Sequence, residues 1–421
     1  MNRLLIGVVF SSLALVGCEP KQIVFEPKLS LEQMVKAAPQ FEWNEPVPVD
    51  GGGIRAIWDA TARFSDGVGA EKMVYQSPQT IAALGEYQER YWTPDMAKLV
   101  RERGDRYLSD MDAALKLEFY IHKPGRSTGL QSMKEGAGLL RVVALERLER
   151  GDLEGAYRAT ELVWRVSQKL LENVEQAIYL MTADAVHSYW FSLMADLVEA
   201  GWLDDRAVDL YKEHQANPDA LRRARIAAGR EILNHVAVAL PDQEGIFALG
   251  SYDFRHEEPL VFAIRQSGHP LDRLKTAKLI GEVFDGTLDP RPLTAQLDEL
   301  DPEDEASYSR GVSDWVKKTE NPMGALAARS VFEYLEFLNH YAKNLQMKHD
   351  VVVMGLRCMQ YEKVNGALPD SLAEFGVDSN LIAYDRENRR IWGATRKGEW
   401  TVGAWDAKEL PLRFQLPNRK K

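Results

Sequence analysis

Residues 145–166, LERLERGDLEGAYRATELVWRV, repeat one hydrophobic period on either side of a Gly-Asp pair. Leu139, Val142, Val143, Leu145 and Leu148 fall at helical spacing up to Gly151-Asp152, and Ala156, Ala159, Leu162, Val163, Val166 and Leu170 resume it beyond. Each half therefore predicts an amphipathic helix, the first stopping at the glycine and the second starting near Glu154. Helices joined by so short a turn must lie antiparallel, with their apolar stripes on one another, which is an αα-hairpin.

The same stretch resembles a single tetratricopeptide-type hairpin, with small residues at the turn and Gly155-Ala156 where two helices would approach closely. No second copy follows at a fixed period, and a solenoid needs about three stacked repeats. Working outward, helices are expected at 176–200, closed by Gly201, at 204–215, and at 217–240, opened by Asn217-Pro218 and closed by Pro241. A loop over 241–256, helices within 258–285 and 307–319, and a long helix over 324–365 complete the body. The fold class is thus mostly α: an antiparallel αα-hairpin bundle or a short TPR-like array, with a small C-terminal antiparallel β-meander. Four runs predict that meander, 381–384, 389–394, 399–404 and 412–416, each short, apolar or aromatic and bounded by turn residues.

Between helix and meander lies LRCMQYEKVNGALPDSLAEFG, residues 356–376. It resembles the segment after the long helix of type II secretion pseudopilins in Tyr361, Asn365, Gly366, Leu368, Pro369, Ser371 and Leu372. A similar segment occurs in uncharacterised helical envelope proteins of planctomycetes. The resemblance covers about twenty residues and implies a fold fragment: Gly366 caps the helix, Pro369 forbids its resumption, and Leu372 and Phe375 pin the turn.

At the other end, Met1-Asn2-Arg3 precedes an apolar run from Leu4 to Val16, which reads as a signal peptide too short to span a bilayer. Leu15-Val16-Gly17-Cys18 resembles the lipobox of bacterial lipoproteins. The resemblance implies cleavage before Cys18, a diacylglycerol thioether on its thiol and membrane anchoring by several buried acyl chains, palmitate among them. Glu19, rather than aspartate, implies the outer membrane of a Gram-negative host, facing the periplasm. The expected domains are a signal peptide (1–17), a lipidated, proline-punctuated tether (18–60), a helical domain (61–345), and a helix plus small meander (346–421).

The chain carries 52 basic and 63 acidic residues, and loss of Arg3 would take the net charge from −11 to −12. That balance excludes nucleic acid as a partner and leaves the lipid anchor as the membrane contact. With Cys18 acylated, Cys358 has no disulfide partner and is expected as a buried, inert thiol among Val351–Met359.

Candidate chemistry is sparse. Glu333, Glu336 and His340 share a helix face, with His349 beyond, but Asn339 stands where a di-iron Glu-x-x-His motif needs histidine. His256-Glu257-Glu258 lacks the second zinc ligand, because Leu260 stands four residues on. His187 and His235 lie in apolar helices and read as core histidines. Gly51-Gly52-Gly53 lacks the Lys-Ser/Thr of a P-loop, and the acidic cluster 298–305 lacks the spacing of a calcium loop. Arg222, Arg223, Arg225 and Arg230, beside Glu231, form a basic patch expected to pair with the chain's own carboxylates. No catalytic, cofactor-binding or metal residue is assigned. Lipidation at Cys18 is the one expected site.

The expected function is a non-catalytic envelope lipoprotein that binds or scaffolds another envelope protein. The alternatives are a periplasmic hydrolase with carboxylates and histidines assembled by the fold, and an accessory of a secretion or pilus system.

Overall fold

The computed structural model describes residues 29–42, 52–66, 94–119, 128–172, 177–213, 218–238, 263, 272–301, 303–375, 382–395, 398–399, 401–402, 410–411 and 413–417. Cys18, the Gly51 end of the glycine run, the loop at 241–256 and His256-Glu257-Glu258 lie outside them. The described chain is mostly α, an antiparallel helical bundle with a small C-terminal antiparallel sheet. It divides into two compact units, one of residues 1–42 and 229–333, the other of 43–228 and 334–421.

In the larger unit, α2 (Gly53–Ser65), α3 (Pro94–Leu115), α4 (Thr128–Glu149), α5 (Leu153–Glu172) and α6 (Ala177–Glu199) pack around one apolar core. α7 (Asp205–Glu213), the first half of α8 (Pro218–Val238) and the second half of α12 (Pro322–Asn365) share that core. The expected α4–α5 hairpin is present. Gly151 takes φ +75°, where a side chain would be strained, and its N–H donates to Leu148 O while Asp152 N–H donates to Arg147 O. Asp152 then accepts from Gly155 N at 3.0 Å and caps α5, so three residues turn the chain around. Gly155 leaves room for the Arg147–Asp152 ion pair, which a Cβ there would overlap.

Residues 53–60, expected within the tether, form the first two turns of α2. Ile57, Ala60 and Phe64 are buried against the core, and Gly53 fits because a Cβ would meet the Phe119 ring. α12 runs unbroken for 44 residues, capped by Asn321, whose side chain accepts from Gly324 N at 3.1 Å. It ends as the tail segment predicts: Gly366 has φ +77°, Pro369 follows, and Leu372 is buried in a 3-10 turn over Leu372–Phe375.

The meander differs from simple succession. Central strand β2 (Arg390–Thr395) pairs antiparallel with β1 (Ile382–Asp385), with β3 (Gly398–Glu399) and with β6 (Arg413–Gln415). β4 (Thr401–Val402) and β5 (Leu410–Pro411) pair separately. β6 returns to β2 because Phe414, opposite Ile391, is buried against α12 at Gly355, where a Cβ would overlap its ring.

The smaller unit holds α1 (Leu31–Ala37), the rest of α8, α9 (Arg273–Phe284), α10 (Arg291–Asp298), α11 (Glu305–Lys318) and the start of α12. Phe41 meets Phe284 edge-on at 4.5 Å and fills the space left by Gly229. Trp315 packs with Val312 and Leu326 and donates from Nε1 to Leu293 O at 3.0 Å. Among the described residues, no helix is long and apolar enough to cross a membrane.

Candidate functional site

Among the described residues of the larger unit, two groups of polar side chains stand apart from the surface ion pairs. The first is inside the bundle, between α6 and α12. Apolar residues at 180, 183, 190 and 193 aim one face of α6 into the core, and Asp184, His187 and Ser188 lie along it. α12 brings Lys348 and His349 on a face flanked by Leu345, Val351 and Val352.

Lys348 Nζ donates to Asp184 Oδ1 at 2.6 Å, to Ser188 Oγ at 2.7 Å and to Asp184 O at 3.3 Å. Three donors meet three acceptors, so the ammonium is satisfied although none of the side chain is exposed. Burial pushes the Lys348 pKa down and the Asp184 pKa up, each opposed by the attraction of its partner.

Beside this pair, Ser167 Oγ donates to Ala183 O at 3.2 Å and lies 3.3 Å from His187 Nδ1. The serine proton is spent on the carbonyl, so His187 donates from Nδ1 and its Nε2 is a bare acceptor. Among the described residues that Nε2 has no partner. Protonating it would create a second cation beside Lys348. Burial, with His349 and Lys348 adding to it, holds the His187 pKa well below that of free imidazole. His349 Nε2 donates to Tyr211 O at 2.7 Å, and Trp190 stacks with His349 and meets His187 at a tilt.

The second place is a groove of about 540 Å³ at the α4–α5 turn and α7. Its floor is Tyr157, stacked on Trp202 with ring centroids 4.0 Å apart, and Leu210. Its rim is charged and braced. Arg147 bridges Asp152 at 3.0 Å and also pairs with Asp105, while Arg206 grips Asp204 at 2.6 Å. Glu154, Arg158 and Glu161 follow along α5 at i, i+4 and i+7, which sets them on one face. Among the described residues none of these three carries an ion pair or hydrogen bond of its own. Burial pushes the Glu161 pKa up, against the pull of Arg165.

The residues singled out from sequence are placed as follows. His187 is the buried core histidine expected; the His235 side chain lies outside the described residues. Glu333 pairs with Arg329 one turn back, Glu336 and His340 are exposed, and His349 is committed to Tyr211 O. Among the described residues no three His, Cys, Asp or Glu side chains are grouped to hold a metal ion. Asp298 ends α10, and Asp304 caps α11 by accepting from Ser307 N at 3.1 Å.

Two arginines of the basic patch bond main-chain carbonyls. Arg223 donates to Leu171 O and Glu172 O, both at 2.9 Å, and closes the C-terminus of α5; Arg230 donates to Phe41 O at 3.3 Å. Helix-end and turn carbonyls, with lone pairs left over, accept from these guanidinium groups. Cys358 is buried and free, its thiol pushed up to about 12 by burial.

Sequence reasoning missed both the Asp184–Lys348 pair and the groove. The pair had a signal: two charged residues on the apolar faces of their helices. The groove had none, since Tyr157, Glu161 and Leu210 meet only through packing. No protein-family model, no curated protein and no solved structure matches this chain.

Proposed function

We propose that this chain is a non-catalytic lipoprotein, anchored through Cys18 to the periplasmic face of the outer membrane, that holds another envelope protein against the groove of α4, α5 and α7. The groove carries the reading. It is concave, its floor is aromatic and aliphatic, and its rim is stiffened by Arg147–Asp152 and Arg206–Asp204, a combination that favours docking of a partner's side chains. The side chains that converge most closely, Asp184, Ser188 and Lys348, are buried and spend their hydrogen bonds on one another, which supports a role in packing. The lipobox resemblance at Leu15–Cys18 supports the anchor.

The test is site-specific photocrosslinking in living cells, with the reactive residue placed in the full-length lipoprotein at Arg158 in the groove or at exposed Lys134 on α4. One dominant crosslinked partner from position 158, absent from 134 and lost on adding Leu210→Asp, is expected. Equal patterns from both positions, or none from 158, would refute the docking reading.

A further inference from the structure

Glu161 stands out in the groove. Its side chain is partly buried and, among the described residues, makes no ion pair or hydrogen bond: Arg165 is engaged with Asp112 at 2.5 Å and Arg206 with Asp204 at 2.6 Å, while Arg158, one turn back on the same face, is exposed to solvent. A carboxylate taken from water without a hydrogen-bonding cation is a standing cost that a docked cation offsets. Below it lie Leu210 and the Tyr157–Trp202 stack, surfaces suited to a methylene stem and to a cation over a ring. Glu154 adds a second unpaired carboxylate at the rim against the one unpaired arginine of the described lining, Arg158, and the chain as a whole carries net −11, which draws basic partners and repels acidic ones.

We propose that the groove seats a lysine side chain of the partner protein, its stem along Leu210 and Tyr157 and its ammonium on Glu161. The proposal rests on the docking reading and names the chemistry that site selects. Lysine fits because a single point charge on a flexible stem reaches the carboxylate past Leu210 and Tyr157.

The experiment is saturation-transfer NMR on the full-length protein in detergent micelles, with three probes: acetyl-Gly-Lys-Gly-amide, its norleucine analogue and its glutamate analogue. Transfer to the lysine side-chain methylenes is expected, with affinity about tenfold weaker for norleucine and for lysine against Glu161→Gln, and no transfer to the glutamate probe. Circular dichroism identical to the parent establishes that Glu161→Gln folds. Equal binding of lysine and norleucine, preference for glutamate, indifference to Glu161→Gln, or no transfer at all would overturn the proposal. A partner still crosslinked from position 158 after such a result would leave the docking reading standing and remove only the lysine.

Discussion

Lys348 Nζ lies 2.6 Å from Asp184 Oδ1 in the middle of the bundle, and both side chains are buried. An ion pair so placed fixes which turn of α12 faces which turn of α6, because a slip of one turn would strand both charges. Removing one partner leaves the other uncompensated. Lys348→Met and Asp184→Leu are each expected to lower unfolding free energy by about 3–5 kcal/mol. The double variant should recover to within about 2 kcal/mol of the parent, since well-packed apolar residues replace such pairs at little net cost. A denaturant double-mutant cycle gives the comparison; simple additivity would show that the two charges act apart.

His187 gives a pH dependence of definite sign. Its pKa in the folded protein is depressed, so the unfolded chain binds the proton first, near pH 6.5. The stability due to neutral His187 is present above that value and is lost as pH falls through and below it, by up to about 1.4 kcal/mol per pH unit. Asp184 and Asp350 act oppositely. Burial raises both, Asp350 to about 6, so their contributions are lost as pH rises through the folded values. Comparing unfolding of the parent and His187→Phe from pH 5 to 7.5 isolates the histidine: the variant should lose the acid-side slope, and parallel curves would contradict the assignment.

Gly355 and Phe414 hold the small sheet to α12. Gly355→Ala pushes a methyl group into the ring and should cost about 1–3 kcal/mol, while Phe414→Ala opens a cavity and should cost about 3–5 kcal/mol. Together they should cost less than their sum, because the methyl group then enters vacated space. Thermal unfolding of the four proteins measures the coupling.

Arg389 is a non-glycine residue at positive φ, +55°, and its guanidinium forks onto Glu362 at 3.0 and 2.7 Å. Lysine cannot make that fork. Arg389→Lys is expected to destabilise by about 1–2 kcal/mol and to loosen the sheet first, seen as faster amide exchange at Ile391 and Phe414.

Cys18→Ala should leave the protein soluble after a carbonate wash while the parent stays with the membrane. Flotation of the variant with membranes would refute the anchor.

How far the sequence carried these results depended on whether a feature was local. The α4–α5 hairpin was legible because Gly151 and Asp152 terminate and cap on their own, and the turn after α12 because Gly366 and Pro369 act within a few residues. α2 was obscured by the glycines before it, although Ile57 and Phe64 mark its buried face. The return of β6 to β2 depends on Phe414 finding Gly355, fifty-nine residues away in a different element, and no periodicity announces that. The arginines of α8 were visible as a patch; their carbonyl partners in α5 and near Phe41 were not.

The docking account is tested most directly by the reactivity of a cysteine in the groove. Cys358 is buried and silent to reagent, so Arg158→Cys in the full-length lipoprotein reports on position 158, and Lys134→Cys on exposed α4 serves as control. Labelling by a polar maleimide is timed in cells with permeabilised outer membranes and again on purified protein in detergent. The account predicts that position 158 labels several-fold more slowly in cells, where the partner covers it, while position 134 labels at one rate in both. Equal protection at the two positions, or none at 158, would contradict it.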